Sequence, residues 1–465
     1  MLISQNPTKP NSKNVKVLLI RPSDRSLGKF KKVGGVQHPM NLLSLATYLD
    51  NNSIEVGILD LEVEPIKSLK GYDIIGITAM TPNIPQVIEL VHLAKLEGAK
   101  TVLGGIHPTV LPEDTIKETE ADIVVRGEGE ISLLEIAKGV PLNKIEGISY
   151  RDTTGIKHNP DRKPIENLDE IPIPNRSMLK LNLYTGSASP AIIGNSAVMF
   201  TSRGCPNDCN FCSAKYMHGK RVRFRSIGHI MQEVRDINAL GFNHITIDDD
   251  TFTLNKKRIL DFCNEYKKWN MTFDIDARVD TVDNEILSAL KKSGCTKIAY
   301  GVESGSNKVL KRMRKGITLD QVKKAFKLTR EAGIKTQALI SIGHIEETKE
   351  DVELTKKLIS EIEADYLCVS VITPYPKTEV YEYDIEKGYL NNIKWDNYAC
   401  FKDEILWRTD NFTGDELVKI RDKMYKDFYI NIKYILKQVK GLRNFNQLKY
   451  YITAALSVIK WRIPK

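Results

Sequence analysis

Cys205, Cys209 and Cys212 are the residues of this chain best suited by type and spacing to do chemistry. They stand in the run Cys-Pro-Asn-Asp-Cys-Asn-Phe-Cys, a C-x3-C-x2-C spacing with Phe211 just before the last thiol. Three thiolates from one short loop can hold three irons of a cubane iron–sulfur cluster. The fourth iron then lacks a protein ligand and is free to take an incoming group. That open corner separates a reactive cluster from a purely electron-carrying one. Two other readings stay open. A structural zinc site usually wants four ligands in paired C-x2-C spacing. His218 can serve as a fourth ligand here, but no second cysteine pair follows. Structural disulfides are disfavoured, because Cys263, Cys295, Cys368 and Cys400 are isolated from one another along the chain. Seven cysteines without a secretory signal fit a reducing compartment.

Such a loop needs a scaffold that delivers it to a ligand-binding face. From Val198 six β-rich runs recur about every thirty residues: Val198–Thr201, His244–Ile247, Phe273–Ala277, Lys297–Gly301, Thr336–Ile342 and Tyr366–Ile372. Helix-period segments separate them, including Ile227–Leu240, Lys256–Trp269 and Leu319–Ala332, which is the spacing of β/α units. Six units are too few for the closed eight-stranded barrel. The cysteine loop follows the first strand, at the carboxyl end where such folds bind ligands. Ahead of this, Val15–Arg21, Ile54–Leu61, Asp73–Thr78, Lys100–Leu103 and Asp122–Val125 read as strands, with helices at Met40–Leu49 and Pro85–Glu97. That alternation implies a parallel, doubly wound sheet with its ligand at the carboxyl ends of the strands. Glu146–Tyr150 and Gly155–Asn159 read as a hairpin, followed by a proline-stiffened strap over 167–174.

Three more strand ends of the second half carry chemistry. Asp248-Asp249-Asp250 ends the second strand; its bland reading is a helix N-cap cluster. Arg278 ends the third, where a guanidinium can take a carboxylate bidentately or form an ion pair with Asp276 or Asp280. Gly301-Val302-Glu303-Ser304-Gly305 ends the fourth, where Glu303 can accept two ribose hydroxyls or be a solvated turn residue. In the first half, Gly-x-Gly-x-x-Gly is absent after the first strand, which argues against a dinucleotide site. Its strand ends instead carry Thr78-Ala79-Met80-Thr81, Gly104-Gly105-Ile106-His107 and Arg126-Gly127-Glu128-Gly129-Glu130. Small residues and paired glycines leave room there for a bulky flat ligand.

The cysteine run with Phe211 and these strand ends resemble the radical S-adenosylmethionine (SAM) superfamily. With the first half, nearly all of Val15–Arg408 resembles its members fused to a cobalamin-binding domain, the class B methyltransferase-like family. The resemblance implies an α/β fold: a doubly wound (Rossmann-like) cobalamin-binding domain, a partial (β/α)6 radical SAM barrel, and a helical C-terminal tail. We expect a disordered lead over 1–14, the cobalamin domain over 15–141, a connector over 142–195, the radical SAM core over 196–408 and a basic helical region over 409–465. The implied cofactors are a 4Fe-4S cluster, SAM and cobalamin. Cys205, Cys209 and Cys212 would hold the cluster, and Phe211, Asp248, Asp249, Arg278 and Glu303 would contact SAM. Thr78, Thr81, Gly104, Gly105, His107, Gly127 and Glu128 would contact cobalamin. Two departures are visible. Relatives often bring a histidine to the lower face of cobalt, whereas Asp24-Arg25-Ser26-Leu27-Gly28 has serine there, so a cobalt without a histidine ligand is expected. His38 is a second candidate near the domain interface, with a structural role as its alternative. On the fifth strand, His344 and Ile345 depart from the usual Gly-x-Pro-Gly-Glu-Thr and would alter the loop lining the substrate side. Lys377 is either substrate-facing or solvated.

In this family SAM is cleaved to a 5′-deoxyadenosyl radical that takes hydrogen from an unactivated carbon, and methylcobalamin then usually methylates that carbon. The resemblance therefore implies a radical SAM C-methyltransferase. The alternatives are an oxidative or ring-rearranging enzyme acting on a tetrapyrrole or lipid, and, in another class, a cobalamin-linked sensor or carrier with a structural cluster. Expected partners are a small-molecule, lipid or pigment substrate and a low-potential electron donor. Hydrophobic content of 42% and charged content of 27% describe an ordinary globular chain. No apolar run approaches the roughly 18–20 residues needed to cross a bilayer. Of the net charge of +9, eight positive charges lie beyond Asp427, where no acidic residue occurs. Leu448, Tyr451, Ile452, Ala455, Leu456 and Ile459 form one apolar helical face beside these charges. Such a helix packs on the barrel or lies on an anionic membrane. Nucleic acid ranks below both. The expected location is cytoplasmic, with peripheral membrane contact through that helix.

Overall fold

The structure, a computed structural model, describes residues 15–23, 35–185, 196–391 and 393–440. The loop around Asp24–Gly28 and the apolar face over 448–459 lie outside the described residues. The first domain runs β1 (Lys16–Arg21), α1 (Met40–Asp50), β2 (Glu55–Asp60), β3 (Ile74–Thr78), α2 (Ile84–Leu96), β4 (Lys100–Gly104), α3 (Ile106–Val110), α4 (Pro112–Thr119), β5 (Ile123–Val125), α5 (Glu130–Ala137), β6 (Ile148–Asp152) and β7 (Gly155–His158). Its sheet order is β2-β1-β3-β4-β5-β6-β7, with the first five strands parallel and the hairpin antiparallel. Both faces are covered, which is why these strands read as continuous apolar runs rather than alternating ones. Leu19, Val102 and Ile123 pack with Leu42 and Leu133 on one side, and Leu18, Ile75 and Leu103 with Val87 and Ile116 on the other. The strand order reverses beside β1, which opens a crevice at the carboxyl ends.

The expected connector over 142–195 is corrected at its start. The β6–β7 hairpin pairs with β5 and completes the first sheet, so it belongs to the first domain. The connector proper carries Arg176, which is buried and donates to Val198 O at 2.7 Å and to Glu233 at 2.5 Å.

The second domain is the six-unit partial barrel, with all strands parallel in the order β15-β14-β13-β12-β11-β8. It runs β8 (Ser196–Met199), β9 (Ser202–Arg203), α6 (Ala214–His218), β10 (Arg223–Phe224), α7 (Ile227–Ala239), β11 (His244–Ile247), α8 (Lys256–Tyr266), β12 (Thr272–Ala277) and α9 (Asn284–Lys292). It continues with β13 (Cys295–Glu303), α10 (Asn307–Arg312), α11 (Leu319–Glu331), β14 (Lys335–Ile342), α12 (Lys349–Ile362), β15 (Tyr366–Val371), α13 (Glu379–Glu386), α14 (Gly414–Tyr429) and α15 (Ile432–Lys440). Alternate residues explain its two environments. Ile245, Ile247, Phe273, Ile275 and Ile298 face the helices in one large apolar core. Thr246, Asp274, Asp276 and Lys297 point the other way, into a polar lumen. α14 covers the β15 edge: Tyr425 and Tyr429 each take a backbone N–H of β15 and return their hydroxyl hydrogen to a carbonyl. Side chains thus satisfy an edge that would otherwise be open to pairing.

Candidate active site

The cysteine loop leaves β9 and is held from three sides. Gly204 adopts φ +99°, and a Cβ there would stand 2.5 Å from Arg221 O, so only glycine fits this tight entry. Asp249, buried at the end of β11, accepts from Thr201 N (2.6 Å) and Ser202 N (3.1 Å) and from both hydroxyls. Its expected role at SAM is corrected. The four acceptor positions of a carboxylate are filled by the strand that leads into the loop, so Asp249 is a positioning residue. Asn210, between the second cysteine and Phe211, is fully framed. It donates to Met313 O and Arg312 O, accepts from Glu379 N through its carbonyl, and meets His344 Nε2 at 2.9 Å. His344 and Ile345, the two departures on the fifth strand, act from inside the loop after β14. Both are buried, His344 against the loop and Ile345 beside Phe211 in an apolar cluster with Met313 and Val380. Burial pushes the His344 imidazole down to about 4, so it works as a neutral hydrogen-bond partner.

The donor set fits a cubane. Burial, the largest influence, raises both Cys209 and Cys212, the latter to about 11; Cys212 also senses both other thiols of the run, and Cys209 senses Cys205. Among the described residues no three His, Cys, Asp or Glu side chains converge as they would on a single ion. Ligands of a cubane, one per iron, stand farther apart than those of a mononuclear site. The zinc alternative loses its fourth ligand as well: His218 Nδ1 lies 3.2 Å from Glu128 and belongs to the domain interface.

Beyond the thiols, the inner face of the loop looks into the barrel. Cys209 senses Lys315, Glu303 and Arg278. Glu303 accepts from Lys315 Nζ at 2.7 Å and from Ser341 Oγ at 2.8 Å. It holds φ +64°, a strained backbone for a non-glycine residue, where the pairing of β13 with β14 shifts register. A Cβ on Gly301 would stand 2.6 Å from Lys315 Nζ and 2.8 Å from the Glu303 carboxylate, so the glycine of this motif makes room for the pair. Arg278 takes Asp280 bidentately at 2.9 and 2.8 Å and donates to Lys315 O, which realises the ion-pair reading in this state. Lys315 and Asn210 escaped the sequence reading: Lys315 lies at no strand end and in no recognised spacing, and Asn210, inside the cysteine run, is framed by segments far along the chain.

Asp248 and Asp250 are accessible to solvent yet hemmed in by protein mass, which raises both carboxyls. They border a cavity of about 210 Å³ walled by Phe200, Ile171, Pro172 and Met40. Asp276 stands beside Asp248 on the same face of adjacent strands. Burial and then Asp248 push it up to about 7. In the folded apo-chain Asp276 therefore keeps its proton until about pH 7, whereas unfolded it releases it near the usual acid value. Its contribution to stability falls as pH rises through that window. Asp276→Asn is expected to raise apo stability at pH 8, by on the order of a few kcal/mol, and to change little at pH 4. Urea midpoints at the two pH values check this; equal gains at both would contradict it.

In the first domain a slot opens at the carboxyl ends of β3, β4 and β5, under α1 and α5. Thr78, Gly104, Gly105, Gly127 and Glu128 line it, with apolar walls from Leu42 and Leu133. A Cβ on Gly104 would meet nothing within 4 Å, so that glycine faces open space. An apolar slot with a polar mouth fits the insertion of a flat, aromatic nucleotide tail. Thr81 and His107 are corrected. They bond each other (3.2 Å) away from the slot, with His107 buried under Trp395 from the barrel. Glu128 reaches the slot, but its carboxylate is taken by Arg223, Arg203, His218 and Ile165 N. Burial disfavours that charge, yet these partners hold the pKa well below the usual carboxylate range. Arg203 also pairs with Glu130 at 2.6 Å, so Arg203 clasps the two domains. His38 is buried edge-on against Tyr184 and Phe242, the structural alternative. The slot and the barrel-mouth cavity share Asn41, Arg203 and His218, so they border one another across the interface.

This arrangement agrees with comparisons to known proteins. Residues 199–359 match the family model of the radical SAM superfamily, and residues 30–137 match that of the B12-binding domain. A Pyrococcus horikoshii protein described as an uncharacterized methyltransferase is 34% identical, over 92% of this chain and 95% of its own. The anaerobic magnesium-protoporphyrin IX monomethyl ester cyclase of Rubrivivax gelatinosus is 29% identical, over 90% and 78%. Among solved structures, the radical SAM methyltransferase TsrM from Kitasatospora setae superposes with a TM-score of 0.69 at 17% identity, covering 88% of this chain and 85% of that one. The chain belongs to the radical SAM enzymes that carry a B12-binding domain. Its cofactors are accordingly a 4Fe-4S cluster, SAM and cobalamin. No helix among the described residues is long and apolar enough to cross a membrane.

Proposed function

We propose that this enzyme methylates an unactivated carbon of an apolar small molecule bound between the barrel mouth and the first domain. The observation that carries the reading is the shared border of slot and cavity, at Asn41, Arg203 and His218, which sets a substrate between the two cofactors. When bound, the cofactors supply the hydrogen-abstracting radical and the methyl group. The chain's own residues bind, orient and exclude water. Cys205, Cys209 and Cys212 hold the cluster from a loop framed by Asn210 and Asp249. Lys315, Glu303 and Arg278, the charged groups that Cys209 senses in the barrel, would take the carboxylate and ribose of SAM. Asp248 would face its cationic end. Thr78, Gly104, Gly105 and Gly127, which line the slot, would hold the cobalamin tail.

The cavity walls favour a substrate with a substantial apolar body. Phe200, Ile171, Pro172 and Met40 offer dispersion contacts and exclude water from radicals. Lipids and pigments have that character. The cyclase relative, matched over 90% of this chain, favours a second reading, oxidative ring closure on a tetrapyrrole. Anaerobic turnover with methyl-labelled SAM separates the two. Label in the product is expected, whereas an oxidised product without label would favour the cyclase.

A further inference from the structure

We propose that the outer face of the cysteine loop is the docking surface for an acidic, low-potential one-electron carrier protein. The inference rests on the cluster reading above. The loop has two faces. Its inner side is anchored through Asn210 to Met313 O, two residues before Lys315, whose ammonium pairs with Glu303 and whose carbonyl takes Arg278, the group proposed above for SAM. Its apex turns outward: Pro206 is exposed and Asp208 is half-exposed, while Cys209 and Asn210 behind them are buried. An electron entering through the apex crosses the fewest residues to reach the thiols and does not compete with substrate.

The surface around that apex is basic. Lys215 and Lys220 reach Asp208 from the α6 side, at 2.5 and 3.2 Å. From α10 and the turn after it come Lys308, Lys311, Arg312 and Arg314, which with Ile345, Glu346 and Glu379 line a groove of about 430 Å³. Arg312 lies 2.5 Å from Glu379 and Arg314 3.9 Å from Asp208, so these cations are braced. Lys308 also lies 3.6 Å from the buried Asp351. The six cations outnumber the four carboxylates among them, Asp208, Glu346, the buried Asp351 and Glu379, which also pairs with Arg314. Eight of the chain's nine net charges sit beyond Asp427, so this surplus stands on a body that is otherwise close to neutral. A positive patch of this kind steers a negative partner into one orientation and raises its on-rate, an effect that weakens with salt. The step itself is simple in balance. One electron leaves the carrier, which is oxidised by one unit, and enters the cluster, which is reduced by one. No bond is made or broken.

Oxidised acidic [2Fe-2S] ferredoxin, titrated calorimetrically into the apo-chain, is the probe. Wild type is expected to bind and to lose affinity as salt rises. The double variant Lys220→Glu/Lys311→Glu is expected to bind at least tenfold more weakly, while Lys268→Glu, just beyond the end of α8, binds normally. With dithionite as reductant, the reconstituted double variant is expected to cleave SAM at the wild-type rate. Unchanged ferredoxin affinity in the double variant would overturn the proposal. So would binding of tRNA or anionic vesicles, but not ferredoxin, through the same two lysines. Failure of wild type to assemble a cluster, with ferredoxin binding intact, would instead overturn the cluster reading and leave the docking surface standing.

Discussion

Cys209→Ala is expected to abolish SAM cleavage, by at least about a thousandfold, while leaving the fold in place. The three thiols act as one unit, so losing any of them removes the function of all three. Cys209 is the most telling, because it is the buried member and the one that senses Lys315, Glu303 and Arg278. The loop does not depend on the sulfur for its shape. Asn210 holds it through Arg312 O, Met313 O, Glu379 N and His344, and Asp249 holds its entry. The anaerobically reconstituted variant should lose its charge-transfer absorbance near the visible blue and most of its iron, yet keep its thermal midpoint and still bind hydroxocobalamin in the first domain. Retention of the cluster with undiminished cleavage activity would refute the ligand assignment. Loss of cobalamin binding as well would show that the loop is needed to hold the domains together.

The second large effect is on stability. Arg176→Ala is expected to destabilise the chain by about 3 kcal/mol or more, the usual range for breaking a buried ion pair from one side. Arg176 leaves the connector, enters the barrel and pairs with Glu233, both groups being essentially inaccessible. Its guanidinium also caps Val198 O of β8 and touches Met40 of the first domain. Removing it strands half of the Glu233 charge, which Arg225 then neutralises alone. The joint replacement Arg176→Met/Glu233→Leu is expected not to recover the loss, because it leaves the nearly inaccessible Arg225 without its carboxylate partner. Denaturant midpoints of the three proteins check this. A single variant as stable as the parent would mean that the connector is not stapled through this arginine.

How far the sequence was legible depended on whether a feature was local. The strands of the first sheet stood out because their apolar runs are buried on two faces, and those of the barrel through β-rich runs recurring at a regular spacing, with His244–Ile247 bounded to the residue. The cysteine run and the Gly301–Gly305 segment were legible for the same reason, since spacing within a few residues carries the signal. Features made by distant segments were not. Asp249 read as a SAM contact, because nothing in Asp-Asp-Asp shows that Thr201 and Ser202, far earlier in the chain, fill its acceptors. His107 and Thr81 sat at promising strand ends, yet Trp395 from the other domain covers them. The hairpin read as connector, because an antiparallel pair at a sheet edge leaves no periodic mark of its partner β5. Lys315 was hidden in the turn after α10, and only the fold brings its ammonium to Glu303.

The central claim is that one chain couples SAM cleavage at the barrel to a corrinoid in the first domain. The most direct measurement reconstitutes the chain anaerobically with iron, sulfide and hydroxocobalamin, then adds reductant and methyl-labelled SAM and follows the label. The account predicts 5′-deoxyadenosine together with label on the bound corrinoid. Neither product from a chain demonstrably loaded with cluster and cobalamin, and supplied with an apolar acceptor, would contradict it.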